Sequence, residues 1–171
     1  MIEILRLSHR PVRDARMTTH IGLTSRAFLA NKMWYSGVRD REMESSVFKV
    51  AEQFGGNFEI SYIQDPLELI NQKRKEDFTI VHLTMYGKDF KENLAKIKDK
   101  NILIVIGGEK VEPEFYHESD YNFSVTNQPI SELSALAVFL HELLDGKELN
   151  DNFSGKLKVI GQERGKKVIK P

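Results

Sequence analysis

The run Ile102-Leu103-Ile104-Val105-Ile106 is apolar throughout and stops at Gly107-Gly108-Glu109-Lys110-Val111. A second short run, Tyr121-Asn122-Phe123-Ser124-Val125, stops at Thr126-Asn127-Gln128-Pro129, and a long apolar helical pattern follows from Ser131 to Leu144. Two strands ending side by side in Gly- and Asn/Pro-containing loops are how an open α/β sheet builds a ligand crevice at its strand C-termini. The rest of the chain has to fit around that arrangement.

Upstream, residues 2–7 alternate into a strand and 8–19 form a polar, Arg-rich stretch expected to be a loop. From His20 the apolar spacing becomes helical. Met33 to Ser36 reads as a strand. Asp40 to Phe54 reads as an amphipathic helix closed by Gly55-Gly56. Phe58 to Ile63 and Phe78 to Leu83 are further strands. They flank a helix that starts at Pro66, a residue suited to a first helical turn. Thr84 to Gly87 is expected to be a turn and 88–98 a short surface helix. Strands alternating with helices predict a mostly parallel sheet covered on both faces. Residues 1–154 are expected to form this domain, with 155–171 an appended basic strand or tail.

At 171 residues the chain suits one domain with a substantial core, and 40% hydrophobic with 29% charged residues is ordinary for a soluble protein. No apolar window reaches a membrane-spanning length. The N-terminus reads as a strand rather than a signal peptide. Without cysteine there is no disulfide, thiol nucleophile or Cys-based zinc site, and a cytoplasmic protein is expected. The zero net charge hides an asymmetry. Residues 1–30 carry five Arg against Glu3 and Asp14, a balance of +3, and residues 155–171 carry +5, so the middle carries −8. Two basic ends on an acidic body suggest a local polyanion surface.

Phosphate-loop, dinucleotide and zinc-peptidase signatures are absent. The five histidines are scattered, so no metal is expected; His117 and His141 read as helix-surface residues. Three segments at strand ends remain. The first, Arg6-Leu7-Ser8-His9-Arg10-Pro11-Val12-Arg13-Asp14-Ala15-Arg16 running on to His20 and Arg26, is dense in the side chain best suited to bidentate phosphate contact. In the second, Gly107 to Val111, glycines let backbone approach a flat ligand. In the third, Ser131 reads as a helix cap.

Taken together, these segments resemble a known superfamily. His20-Ile21-Gly22-x-x-x-Arg26 is similar to the first motif of the SpoU branch of SPOUT methyltransferases. Ile104 to Val111 resembles the second motif, and Asn127-Gln128-Pro129 with Ser131 to Ala137 the third. Leu5-Arg6-Leu7-x-His9-Arg10-x-x-Arg13-Asp14-x-Arg16-x-Thr18-Thr19-His20, then Val81 to Gly87, and the tail 164–168, resemble the archaeal family that methylates the ribose 2'-hydroxyl of tRNA cytidine 56. The chain departs from that family's pattern at Ser8, where the family has glycine, and at Ile130, where it has histidine.

The resemblance implies a trefoil-knotted α/β fold, a homodimer, tRNA as substrate and S-adenosylmethionine as cofactor. Cofactor contacts are expected at Leu83, Gly107, Gly108, Glu109, Lys110, Val111, Val125, Thr126, Asn127, Gln128, Pro129, Ile130, Ser131 and Glu132. Arg26 matches the arginine assigned to catalysis. A guanidinium stays protonated far above neutral pH, which makes it an electrostatic clamp rather than a base. Arg6, His9, Arg10, Arg13, Arg16 and His20 are the expected RNA contacts. The helix 131–144 is apolar most of the way round, which predicts burial on both faces, one of them by a second subunit. The alternatives are a catalytically inactive RNA-binding module of the same fold, and a flavodoxin-like or Rossmann-type small-molecule binder.

Overall fold

The computed structural model describes residues 1–108, 110–150 and 153–171, with Ala15 described by its backbone alone. The elements run β1 (Ile2–His9), α1 (Pro11–Ala27), β2 (Lys32–Gly37), α2 (Arg41–Phe54), β3 (Glu59–Tyr62), α3 (Pro66–Lys75), β4 (Phe78–Asp89), β5 (Asn101–Gly107), α4 (Pro113–His117), β6 (Tyr121–Ser124) and α5 (Glu132–Leu143). A ribbon of β7 (Lys158–Ile160) and β8 (Lys167–Ile169) follows. Six strands form one sheet in the order β3-β2-β1-β5-β4-β6, and every neighbouring pair is parallel. This is the α/β sheet that the alternating pattern predicts.

Strand β5 lies between β1 and β4, which explains its sequence: a strand paired on both edges and covered on both faces has no position for a polar side chain. Ile102, Ile104 and Ile106 point to one face, where Ile4, Ile21, Met43, Val47, Leu136, Phe139 and Leu140 close a core under α1, α2 and α5. Leu103 and Val105 point to the other face, against Leu5, Leu7, Leu69, Ile70 and Phe115 under α3 and α4. Asp40 caps α2 by accepting from the Met43 amide, and Gly55 closes it at a φ of 83°.

The structure differs from the sequence reading in four places. The polar stretch 8–19 is mostly helix: Pro11 opens α1, Arg10 and Asp14 pair one turn apart, and Val12, Arg13 and Arg16 are exposed while Asp14 and Thr18 are buried. Its polarity marks a solvent face rather than a loop. Residues 88–98 form 3-10 turns at Phe90–Glu92 and Leu94–Lys96, anchored by buried Phe90 and Leu94. The expected turn 84–87 lies within β4, as a bulge. Pairing with β6 stops at Leu83 with Phe123 and resumes at Lys88, again opposite Phe123. Finally, the short helix α4 has no apolar repeat long enough to announce it.

The basic tail is an antiparallel ribbon. It is joined to the end of α2 by the Leu157 amide donating to Gln53 O and by Lys156 pairing with Glu52. Among the described residues, no helix is long and apolar enough to cross a membrane.

Phe139 is fully buried and meets Phe90 edge-on at 5.5 Å between ring centroids. Phe139→Ala is expected to lower the free energy of unfolding by about 3–5 kcal/mol, read from urea titrations.

Candidate cofactor crevice

The C-terminal ends of β4, β5 and β6 surround a cavity of about 560 Å³. Its wall comprises His82 to Tyr86 of β4, the Gly107-Gly108 turn with Lys110 and Val111, Tyr116 of α4, Val125 and Thr126 after β6, and Ile130, Glu132 and Ala135 at the start of α5. Its size and its mix of apolar and polar side chains suit a small organic ligand. A second cavity of about 210 Å³ lies across the Gly107–Val111 turn and is lined by Leu7, Ser8 and Arg10 with Glu112 and Phe115.

Two close approaches set the shape of the crevice. At Gly87, a Cβ would stand 2.5 Å from the Phe123 carbonyl carbon, so only glycine lets the β4 bulge return to β6. The bulge is also tied to the third segment, since Asn127 Nδ2 donates to Met85 O at 2.7 Å and Gly87 O at 3.2 Å. At Gly108, a Cβ would stand 2.2 Å from Arg6 Nη2. The Arg6 side chain is fully buried beneath this turn. Its Nη1 donates to Leu7 O, and Nη2 lies 3.1 Å from Glu132 and 3.9 Å from Asp14. Burial pulls its pKa down, while Glu132 and then Asp14 pull it back up.

Of the residues expected to hold the cofactor, Leu83, Gly107, Gly108, Lys110, Val111, Val125, Thr126, Ile130 and Glu132 line the larger cavity. Asn127, Gln128 and Pro129 are exposed beside it, with Asn127 bracing the bulge. Ser131 caps α5, accepting from the Leu133 amide at 3.1 Å. Glu109 lies outside the described residues.

The expected RNA contacts divide. Arg13, Arg16 and His20 are exposed on α1, and Arg10 lines the smaller cavity. Arg6 and His9 are buried. His9 is held by Thr18 Oγ1 at 2.8 Å and Asp40 Oδ2 at 3.3 Å, and its ring meets Tyr35 edge-on. In the single chain both side chains are covered and brace the C-terminal end of β1.

Arg26 is also displaced from the expected site. It lies about 22 Å along α1 from Pro11 at 1.5 Å per residue, at the end of the sheet where the Asn31 amide meets Ile2 O. Its Nε donates to Gly55 O at 2.7 Å, and its guanidinium covers the Phe153 ring at 4.8 Å. Burial lowers its pKa. These contacts tie the end of α1 to the Gly55 turn and to Phe153, because α1 starts at Pro11 rather than at His20. The catalytic role expected of Arg26 rests on the family resemblance alone.

The sequence reading passed over six members of the cavity wall, Thr84, Met85, Tyr86 and Ala135 together with His82 and Tyr116, and the last two touch each other. Their rings meet edge-on at 4.7 Å. His82 Nδ1 lies 2.9 Å from Asn122 Oδ1, and Tyr116 OH lies 3.3 Å from Thr84 Oγ1. The position of His82 at a strand end, one residue before Leu83, was the available signal.

A family model described as "tRNA ribose 2'-O-methyltransferase, aTrm56" matches residues 54–169. A tRNA (cytidine(56)-2'-O)-methyltransferase of Thermococcus kodakarensis is 48% identical over 175 residues, covering 99% of this chain and 97% of the relative. The chain belongs to this family. A relative of the same name from Methanosphaera stadtmanae is 44% identical, with 99% of each chain covered. One from Thermoplasma volcanium is 47% identical over 98% of this chain, but this chain spans only 49% of that relative's length. Among solved structures, the A. aeolicus TrmH/SpoU tRNA modifying enzyme superposes with a TM-score of 0.65 at 14% identity, covering 87% of this chain and 76% of that one. The SpoU methyltransferase AviRb from Streptomyces viridochromogenes, in complex with AdoMet, gives 0.61 at 14% identity, over 86% and 57%. These two likenesses establish a shared SpoU-type fold.

Gly108→Ala is expected to destabilise the protein by about 1–3 kcal/mol, because the buried guanidinium must move. Gly161→Ala, whose Cβ would meet nothing within 4 Å, should change stability by less than about 0.5 kcal/mol. Chemical denaturation of both variants checks the contrast. A second expectation concerns pH. Burial holds the His82 pKa below its ordinary 6.5, with Asn122 partly opposing. The unfolded ring therefore binds a proton that the folded ring refuses. Stability from this site is intact above 6.5 and is lost as pH falls through the lowered folded value. Unfolding titrations between about pH 7 and pH 5 should show a smaller acid-side loss in His82→Gln than in the parent.

Proposed function

We propose that this chain is an S-adenosylmethionine-dependent methyltransferase acting on a ribose 2'-hydroxyl of tRNA, with cytidine 56 as the target. The observation that carries this reading is family membership over nearly the whole chain, joined to a cavity built at the segments that carry the family resemblance. The residues suit the cofactor: Gly107 and Gly108 leave backbone uncovered for a flat group, Leu83, Val111 and Val125 offer apolar contact, and buried His82 Nε2 has no partner of its own.

Bound there, the cofactor supplies an electrophilic methyl group on a sulfonium. The chain's own contribution is to bind, orient and exclude water, and orientation alone is worth roughly 7–11 kcal/mol in favourable cases. The smaller cavity across the Gly107–Val111 turn receives the acceptor nucleotide. Arg10 and Lys110 on its wall join Arg26, which matches the family's catalytic arginine, as cations that hold a phosphate or steady a developing alkoxide.

The exposed Arg13, Arg16 and His20 of α1 and the lysines of the β7–β8 ribbon extend a basic track for RNA. The protein works as a cytoplasmic homodimer. What supports the dimer is apolar surface beside α5: Val138 is 44% and Ile130 46% exposed, and Val12 of α1 is fully exposed. The trefoil knot of the C-terminal segment belongs to the same proposal, since α5 returns from edge strand β6 to lie against β5 and α1.

Labelled S-adenosylmethionine with unmodified tRNA transcript tests the activity. Methyl incorporation at the ribose of cytidine 56 is expected, and cofactor binding without transfer would instead favour an inactive RNA-binding module. Arg16→Ala should weaken tRNA binding and reduce the slope of log affinity against log salt by about 1 or less, the loss of one phosphate contact. An unchanged slope would remove Arg16 from the track.

A further inference from the structure

Four buried side-chain atoms among the described residues have no hydrogen-bond partner: Nε and Nη2 of Arg6, Oε2 of Glu148 and Nε2 of His82. Three of them have a charge nearby. Arg6 stands against Glu132 and Asp14, and Glu148 binds His141 through its other oxygen. His82 Nε2 has no such relief; His82 is part of the wall of the larger cavity, and its ring packs on Tyr116 of the same wall.

The hydrogen-bond chain around His82 determines what that nitrogen is. Asn122 Nδ2 donates to Tyr116 O at 2.9 Å, which turns Asn122 Oδ1 towards the imidazole. A carboxamide oxygen only accepts, so His82 Nδ1 carries the proton. In the neutral ring Nε2 is then a bare lone pair. The side chain is 1% exposed, and edge-on contact with Tyr116 holds the ring in place. A buried acceptor without a partner is costly, and fixed polar groups of this kind are how an apolar pocket orients its ligand.

We propose that His82 Nε2 determines ligand specificity in this cavity, by accepting a hydrogen bond from an N–H or O–H donor of the cofactor's adenosine moiety. The proposal rests on the reading of the cavity as an S-adenosylmethionine site. A neutral donor is favoured over the cofactor's ammonium group by the surroundings. Leu83, Val111 and Tyr116 are uncharged, and the cavity's carboxylate, Glu132, is already paired with Arg6.

The test is calorimetric binding of S-adenosylhomocysteine and of its 6-deamino, 2'-deoxy and 3'-deoxy analogues to the parent chain and to His82→Phe. One analogue should bind the parent about 2- to 12-fold more weakly, the equivalent of one hydrogen bond, and that loss should vanish in His82→Phe. Sensitivity to the 6-amino group assigns the donor to adenine, and sensitivity to a hydroxyl assigns it to the ribose. Equal losses in parent and variant for every analogue overturn the contact while leaving the cofactor site in place. Failure of the parent to bind S-adenosylhomocysteine at all overturns the site reading and the contact with it. Should His82→Phe not fold, imidazole 15N spectra of the parent read the same contact. The unprotonated Nε2 resonance should move upfield on saturation, and an unmoved resonance overturns the proposal.

Discussion

The crevice depends on a charge buried where the strands end. Arg6 is fully covered, and a covered guanidinium is tolerated only when paired and hydrogen-bonded. Its partners come from three elements, Leu7 O on β1, Asp14 on α1 and Glu132 on α5, and the bare Gly108 after β5 leaves room for it. Those elements are far apart in sequence, and satisfying one charge fixes their relative positions. The Gly107–Val111 turn, the partition between the two cavities, rests on this cation.

The other wall is set by backbone rather than charge. β4 bulges away from β6 between Leu83 and Lys88 and then returns. That detour opens the cavity, and the return is possible because Gly87 presses on Phe123 and Asn122 without a Cβ. Asn127 holds the detour open with two bonds to its carbonyls. The same loop segment that follows β6 thereby shapes the wall formed by β4, which ties the third sequence segment to the cofactor site without Asn127 lining it.

Much of the fold was legible because its signals are local. The unbroken apolar run of β5, the capped amphipathic helix α2 and the Pro-started α3 each follow from periodicity and end chemistry. The loop expected at 8–19 failed because a helix exposing Arg13 and Arg16 to solvent carries a weak apolar stripe, and polarity was read as irregularity. Of the site, the Gly107-Gly108 turn and the segment from Val125 to Glu132 were legible as strand ends. His82 was not, since a lone histidine in an apolar strand gives no spacing to read. Arg6, Arg10, Arg13, Arg16 and Arg26 are indistinguishable as a list of cations. Only their burial separates the brace at Arg6 and the staple at Arg26 from the exposed Arg13 and Arg16.

The sequence by itself determined the class of fold, the strands that end at the crevice and the family to which the chain belongs, because periodicity and motif spacing are properties of neighbouring residues. Tertiary structure decided which side chains face the ligand. A strand's side chains alternate between faces and a helix carries its residues 1.5 Å apart along its axis, so shifting the start of α1 from His20 to Pro11 moves Arg26 to the far end of the sheet. The orphaned nitrogen of His82 likewise exists only once Tyr116 and Asn122, more than thirty residues downstream, have folded around it.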